Sequence, residues 1–184
     1  MNSLTHILPW LESHVEPMRQ SRRKTLAAIV EAAMTMQGTG VLALGRSMAG
    51  PTAAKHGIKR VDRFLGNGQV EVSAVSGGLF RACCPPQGEV VVLADWTDRH
   101  WCQQLVLALS RHGRALPFLC ITVPKSEVAG EQKGTMIAAE TKALEQLEAF
   151  CPPGRTPIVI ADRGFGNSRW LEEIQKRGWY FVQR

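Results

Sequence analysis

The chain has 184 residues, enough for one sizeable core or for a small helical unit joined to an α/β unit, and its 45% hydrophobic and 21% charged residues are those of a globular protein rather than a disordered or fibrous one. No stretch is apolar for long enough to span a bilayer, and Met1 to Trp10 lacks the charged start, apolar run and small-residue cleavage site of a secretory signal, so the expected location is the cytoplasm. The net charge of +6 is unevenly spread: up to Cys84, 10 Lys+Arg less 5 Asp+Glu leaves +5, whereas from Pro85 onward 12 less 11 leaves +1, as expected if the N-terminal part meets a polyanion.

In chain order, apolar positions Leu4, Ile7, Leu8, Leu11 and Val15 predict a first helix from about Ser3 to Met18. A second is expected from a Ser21 cap through Leu26, Ile29, Val30, Ala33 and Met34, stopping at Gly38 or Gly40. Arg19, Arg22, Arg23 and Lys24 crowd its start, where cations oppose the helix macrodipole, so the cluster makes better sense facing phosphate. A short apolar segment, Val41 to Leu44, leads to Gly50-Pro51-Thr52, with Pro51 in the first turn of another helix. Lys55-His56-Gly57-Ile58-Lys59-Arg60-Val61-Asp62-Arg63-Phe64-Leu65 is basic with aliphatic anchors. In isolation such a run is usually a solvated helical face; in a helical segment of this charge it points to DNA contact. One more helix is expected between Gln69 and Cys84, and Pro85-Pro86-Gln87-Gly88 breaks it. The boundary is placed there, giving a helical basic region, 1–85, and an α/β region, 86–184.

Beyond the boundary, Glu89 to Ala94 reads as a strand buried on both faces. Trp101 to Ser110 and Ala115 to Val123 follow across an Arg111-His112-Gly113-Arg114 turn, which makes an antiparallel meander. A helix from Thr135 to Phe150 crosses back so that Pro157 to Ala161 lies parallel beside the first strand. A helix from Asn167 to Arg177, capped by Asn167 or Ser168, and a fifth strand from Trp179 complete the order: three strands, helix, strand, helix, strand. Two of the strands end in Ala-Asp. Side by side they would bring Asp95 and Asp162 to one crevice, where paired carboxylates need a hard dication, Mg²⁺ or Mn²⁺. A strand-end Asp is also ordinary turn chemistry; the repeated unit is what favours a site. Asp98, His100 and His112 read as turn residues, Trp96 and Trp101 as core rather than as platforms for an unpaired base, and the five cysteines as small apolar residues without metal or disulfide spacing.

This order is that of the ribonuclease H-like fold, and the motifs resemble the IS4-type DDE transposases. Asp95-Trp96-Thr97 is similar to the Asp-x-Thr of their first catalytic strand, and Ala161-Asp162-Arg163-Gly164-Phe165-Gly166 to their second catalytic motif. Arg60-Val61-Asp62-Arg63-Phe64-Leu65-Gly66-Asn67 resembles the Arg-x-x-Arg-Phe-Leu-x-Asn segment of their N-terminal DNA-binding region. Gly178-Trp179-Tyr180-Phe181-Val182-Gln183-Arg184 is similar to the fifth strand, so the resemblance runs from about Ser21 to the end. It implies an incomplete ribonuclease H-like mixed sheet with two-metal phosphoryl transfer, Asp95 and Asp162 as catalytic metal ligands, and Mg²⁺ or Mn²⁺ as cofactor. It also implies double-stranded DNA, both terminal repeats and target, as partner, a homodimer for the full-length enzyme, and a nucleoid-associated location. Arg22, Arg23, Lys24, Lys55, Lys59, Arg60 and Arg63 are the expected DNA contacts. The family's third acid, a Glu on a helix after the fifth strand, has no counterpart before Arg184, and Glu172 and Glu173 lie on the wrong helix. The expectation is therefore a truncated, poorly active enzyme whose sheet exposes apolar surface, or else a non-catalytic DNA-binding remnant that occupies transposon ends or interferes with the full-length enzyme. A metal phosphatase built on Asp95 and Asp98 is weaker, because Asp-Trp-Thr-Asp lacks Asp-x-Asp spacing.

Overall fold

The computed structural model describes residues 4–16, 18–36, 38–48, 53–128, 133–165 and 168–183. The expected first turn at Gly50-Pro51-Thr52 and the Asn167 cap lie outside them. Two compact units divide the chain, 1–75 and 76–184. Among the described residues no helix is long and apolar enough to cross a membrane.

The first unit contains α1 (Leu4–His14), α2 (Gln20–Thr35), α3 (Val41–Ser47), α4 (Ala54–Leu65) and the start of α5 (Val72–Cys83). Leu11 and Val15 pack with Met18 and Ala27, and a second cluster joins Ala32, Leu44 and Val61. Two local expectations change. Ser21 lies inside α2 rather than capping it: extended Arg19 is the N-cap, and its carbonyl accepts the N–H groups of Arg22 and Arg23. The apolar run at Val41 is a helix, α3, packed so tightly that a Cβ on Gly45 would lie 2.4 Å from Ile58 Cα of α4.

In the second unit, β1 (Val90–Asp98), β2 (Cys102–Arg111) and β3 (Arg114–Pro124) precede α6 (Lys125–Val128) and α7 (Lys133–Phe150). β4 (Pro157–Ala161), a 3₁₀ turn (Arg163–Phe165), α8 (Ser168–Lys176) and β5 (Tyr180–Gln183) follow. The protein is thus α/β with a mixed five-stranded sheet, ordered β3-β2-β1-β4-β5. β1 to β3 form the expected antiparallel meander; β4 runs parallel to β1, and β5 parallel to β4. His112 (φ 49°) and Gly113 (φ 72°) close the β2–β3 hairpin with both central residues left-handed, the geometry whose twist suits a two-residue loop. Pro117 has no N–H to give the ladder, and the register slips beside it: Leu107 faces Leu119 while Ala108 faces Pro117. The extra residue, Phe118, is buried with its ring 4.8 Å from Phe80.

The two faces of the sheet differ. Residues paired across strands point to the same side. On one side Val90, Val92, Ala94, Leu105, Leu107 and Val159 are buried against Phe80 of α5, Leu144 and Leu147 of α7, and Trp170 and Ile174 of α8. On the other, Val91, Leu93, Val106, Ile158 and Ile160 are half-buried, Cys120, Tyr180 and Val182 are exposed, and none joins a core cluster of the described residues. The first strand was expected to be buried on both faces; it is buried on one.

Candidate functional site

β1 extends four residues past the expected end at Ala94, because its pairing with β2 continues to Asp98, opposite Gln103. Its parallel pairing with β4 stops earlier, at Ala94 opposite Ala161. Asp95 and Asp162 directly follow Ala94 and Ala161, so they sit side by side where β4 ends and β1 loses that neighbour. By alternation Asp95 belongs to the open face. Both carboxylates are exposed.

Each carboxylate is held by one oxygen. Thr97 Oγ1 donates to Asp95 Oδ2 at 3.1 Å, and the Gly164 backbone N–H donates to Asp162 Oδ1 at 2.9 Å. Gly164 suits this turn because a Cβ there would come within 3.0 Å of that same oxygen. Buried Phe165, 5.2 Å from the Trp170 ring, anchors the turn to the core. The other oxygens, Asp95 Oδ1 and Asp162 Oδ2, have no hydrogen-bond partner among the described residues. A hard dication such as Mg²⁺ is commonly held by one or two carboxylates, with water and phosphate oxygens completing its shell, so the pair fits such an ion. Among the described residues no group of three or more His, Cys, Asp or Glu side chains is placed to hold a metal.

The neighbouring polar residues have other tasks. Asp98 ends β1 and pairs with Lys125 at 2.6 Å, which holds its carboxyl below the usual range, so it is not a free turn residue. Trp96 Nε1 donates to Glu140 Oε1 at 3.1 Å, pinning β1 to α7 from the face opposite Asp95. Glu140 is only 4% exposed and was not singled out from the sequence. Its signal was there: it shares the stripe of Ala143, Leu144 and Leu147 on α7, where a carboxylate needs a donor. Trp101, expected in the core, is 65% exposed beyond the last residue of β1.

Glu173 is committed to α8, bonding Arg177 Nη1 at 2.7 Å and Lys176 Nζ at 2.9 Å. The Arg177 hydrogen bond, then that of Lys176, lowers its carboxyl to about 2. Because the folded group ionises below the free one, the stabilisation from these pairs is complete above the free pKa of about 4.3 and is lost as pH falls toward 2. A carbon-detected NMR titration should show that inflection near 2, and a value near that of a free glutamate would refute it.

In the first unit, Arg22, His56, Lys59, Arg60 and Arg63 line an open groove of about 490 Å³ together with Ser21, Thr25, Phe64 and Asn67. On α4, His56, Lys59, Arg60 and Arg63 fall at helical spacing on one face, while Gly57 and Val61 turn inward. Arg22 is fixed there by hydrogen bonds from its guanidinium to the carbonyl and the side-chain oxygen of Gln69, and Arg60 donates to Thr25 Oγ1 at 3.2 Å. Four of the expected DNA contacts therefore share this groove: Arg22, Lys59, Arg60 and Arg63. Lys24 and Lys55 are exposed but do not line it. Arg23 is half-buried and donates to the Val15 carbonyl at 2.9 Å, tying α2 to the end of α1. His56, Ser21 and Thr25 join the groove without having been expected there.

No protein-family model matches the chain, and no curated protein matches it significantly.

Proposed function

We propose that the chain binds double-stranded DNA and carries the two strand-borne acids of a ribonuclease H-like transposase of the IS4 type, acting in metal-dependent strand cleavage and transfer. The observation that carries this reading is the adjacency of Asp95 and Asp162 at the end of the parallel β1–β4 pairing, in a sheet ordered β3-β2-β1-β4-β5. Ligands in open sheets with parallel strands sit beyond such strand ends. In this reading the basic face of α4 holds the phosphate backbone, while Thr97 and the Gly164 N–H orient the two carboxylates so that each keeps one oxygen for Mg²⁺ or Mn²⁺. Such ions supply Lewis acidity at the attacking and leaving oxygens of an in-line displacement. Hydrolysis of one phosphodiester at a terminal repeat leaves a 3′-hydroxyl and a 5′-phosphate. That hydroxyl then attacks a target phosphodiester, forming one bond as another breaks and a new 3′-hydroxyl leaves.

The experiment is Mn²⁺ titration of the whole chain followed by electron paramagnetic resonance. Asp95→Asn and Asp162→Asn should each weaken binding by at least about tenfold, the scale on which even supporting residues affect metal affinity. Unchanged Mn²⁺ affinity in both variants would remove the catalytic reading. A second reading, DNA binding without chemistry, is favoured by the basic groove, which is formed within the first unit alone. It predicts that both variants bind DNA and Mn²⁺ like the parent chain.

A further inference from the structure

Beside the basic groove lies a second cavity of different character. It measures about 240 Å³ and is lined by Leu26 of α2, Phe64 and Leu65 of α4, Asn67 and Val70 of the following loop, and Val72 and Val75 of α5. Phe64 and Asn67 line both cavities, and Thr25 and Leu26, adjacent on α2, line one each. Leu65 and Val72 are 62% and 66% exposed, so the apolar cavity is open to solvent. Asn67 Oδ1 accepts the Gln69 N–H at 3.0 Å, which orients the amide and leaves its NH₂ as a donor at the common wall.

A ligand that fills both cavities must be anionic at one end and apolar at the other, with an acceptor at the join. An acyl chain has no use for the amide donor, and a single lipid headgroup does not need Arg22, His56, Lys59, Arg60 and Arg63 together. A nucleotide meets every condition: its phosphates match the cations, its ring matches an apolar cavity smaller than those that hold drug-sized ligands, and its carbonyl or ring nitrogen matches the Asn67 donor. We propose that this pair of cavities holds an unpaired nucleotide of a nucleic acid, with the flanking phosphates in the groove and one base withdrawn from the stack against Phe64. This rests on the DNA-binding reading and adds to it a preference for DNA with an unstacked base, which costs less to extrude.

Fluorescence anisotropy on the whole chain tests it, with a matched duplex and the same duplex carrying one bulged thymidine. The bulged duplex should bind about tenfold more tightly, the scale of one base stacked on an aromatic ring. Leu65→Ser combined with Val72→Ser, both at exposed positions, should abolish that preference, with the matched duplex still bound in a salt-dependent way. Equal, salt-dependent binding of both duplexes by the parent chain overturns the base pocket and leaves the DNA reading standing. No salt-dependent binding of either duplex removes the DNA reading, and this inference with it. A double variant that keeps the preference but loses self-association in sedimentation velocity shows that the apolar cavity joins two copies of the chain, which also overturns it.

Discussion

A chain in which Lys59, Arg60 and Arg63 are changed to glutamine is expected to bind duplex DNA about a hundredfold more weakly at physiological salt. These side chains sit on one exposed face of α4 and line a single groove with Arg22 and His56, so under the proposed DNA binding they would meet the same stretch of backbone. Each phosphate contact releases close to one condensed counterion, so removing three should also flatten the slope of log affinity against log salt by about 2.7. Glutamine keeps helix propensity, and the buried side of α4, Gly57 and Val61, is untouched. Circular dichroism should be unchanged. The slope separates this from a general loss of fold: an equal drop in affinity with the salt slope intact would mean that the groove does not hold phosphates.

The second large effect is on stability. Gly45→Ala should destabilise the α3–α4 pairing by about 2 kcal/mol, the cost of overpacking after the gain in helix propensity is deducted, and Gly45→Val by more. The reason is the identity of what the new methyl would meet: Ile58 Cα at 2.4 Å and Ile58 N at 2.5 Å are backbone atoms inside α4 and cannot rotate aside. Gly40→Ala is the control, with nothing within 4 Å of its added Cβ. Because the chain has two compact units, a single melting temperature is a poor readout. Amide hydrogen exchange in α3 and α4 is the direct one, and unaltered protection in Gly45→Ala would show that the helices separate freely.

Much of the sheet was legible because its strands are short apolar runs closed by turn residues. Val90 to Ala94 and Pro157 to Ala161 announce themselves that way, and the crossover through α7 then requires them to lie parallel. What the runs could not show was how far pairing continues. β1 reaches Asp98 because Gln103 and Gln104 of β2 extend alongside it, a tertiary effect that carries two aspartates, poor strand formers, into the ladder with Trp96 and Thr97. α3 was hidden by its length and by Gly45, a residue that weakens a helix in isolation and is there for the sake of its neighbour. The charge run singled out Lys59, Arg60 and Arg63 as DNA contacts, and the structure shows that they share one face of α4. Composition could not separate Arg22, fixed in the groove, from Arg23, which is consumed by the Val15 carbonyl, since both are arginines in the same turn. Trp101 shows the opposite failure: a large aromatic read as core on hydrophobicity alone stands in solvent.

The one-sided covering of the sheet has a calorimetric consequence. Heat-capacity change and denaturant sensitivity both scale with the surface newly exposed on unfolding. Val91, Leu93, Ile158 and Ile160 are already partly wetted in the native state, and Tyr180 and Val182 more so. The second unit therefore unfolds with a smaller heat-capacity increment and a broader urea transition than a sheet of equal length packed on both sides, and its stability varies less with temperature. Anything that came to cover that face would steepen both curves together.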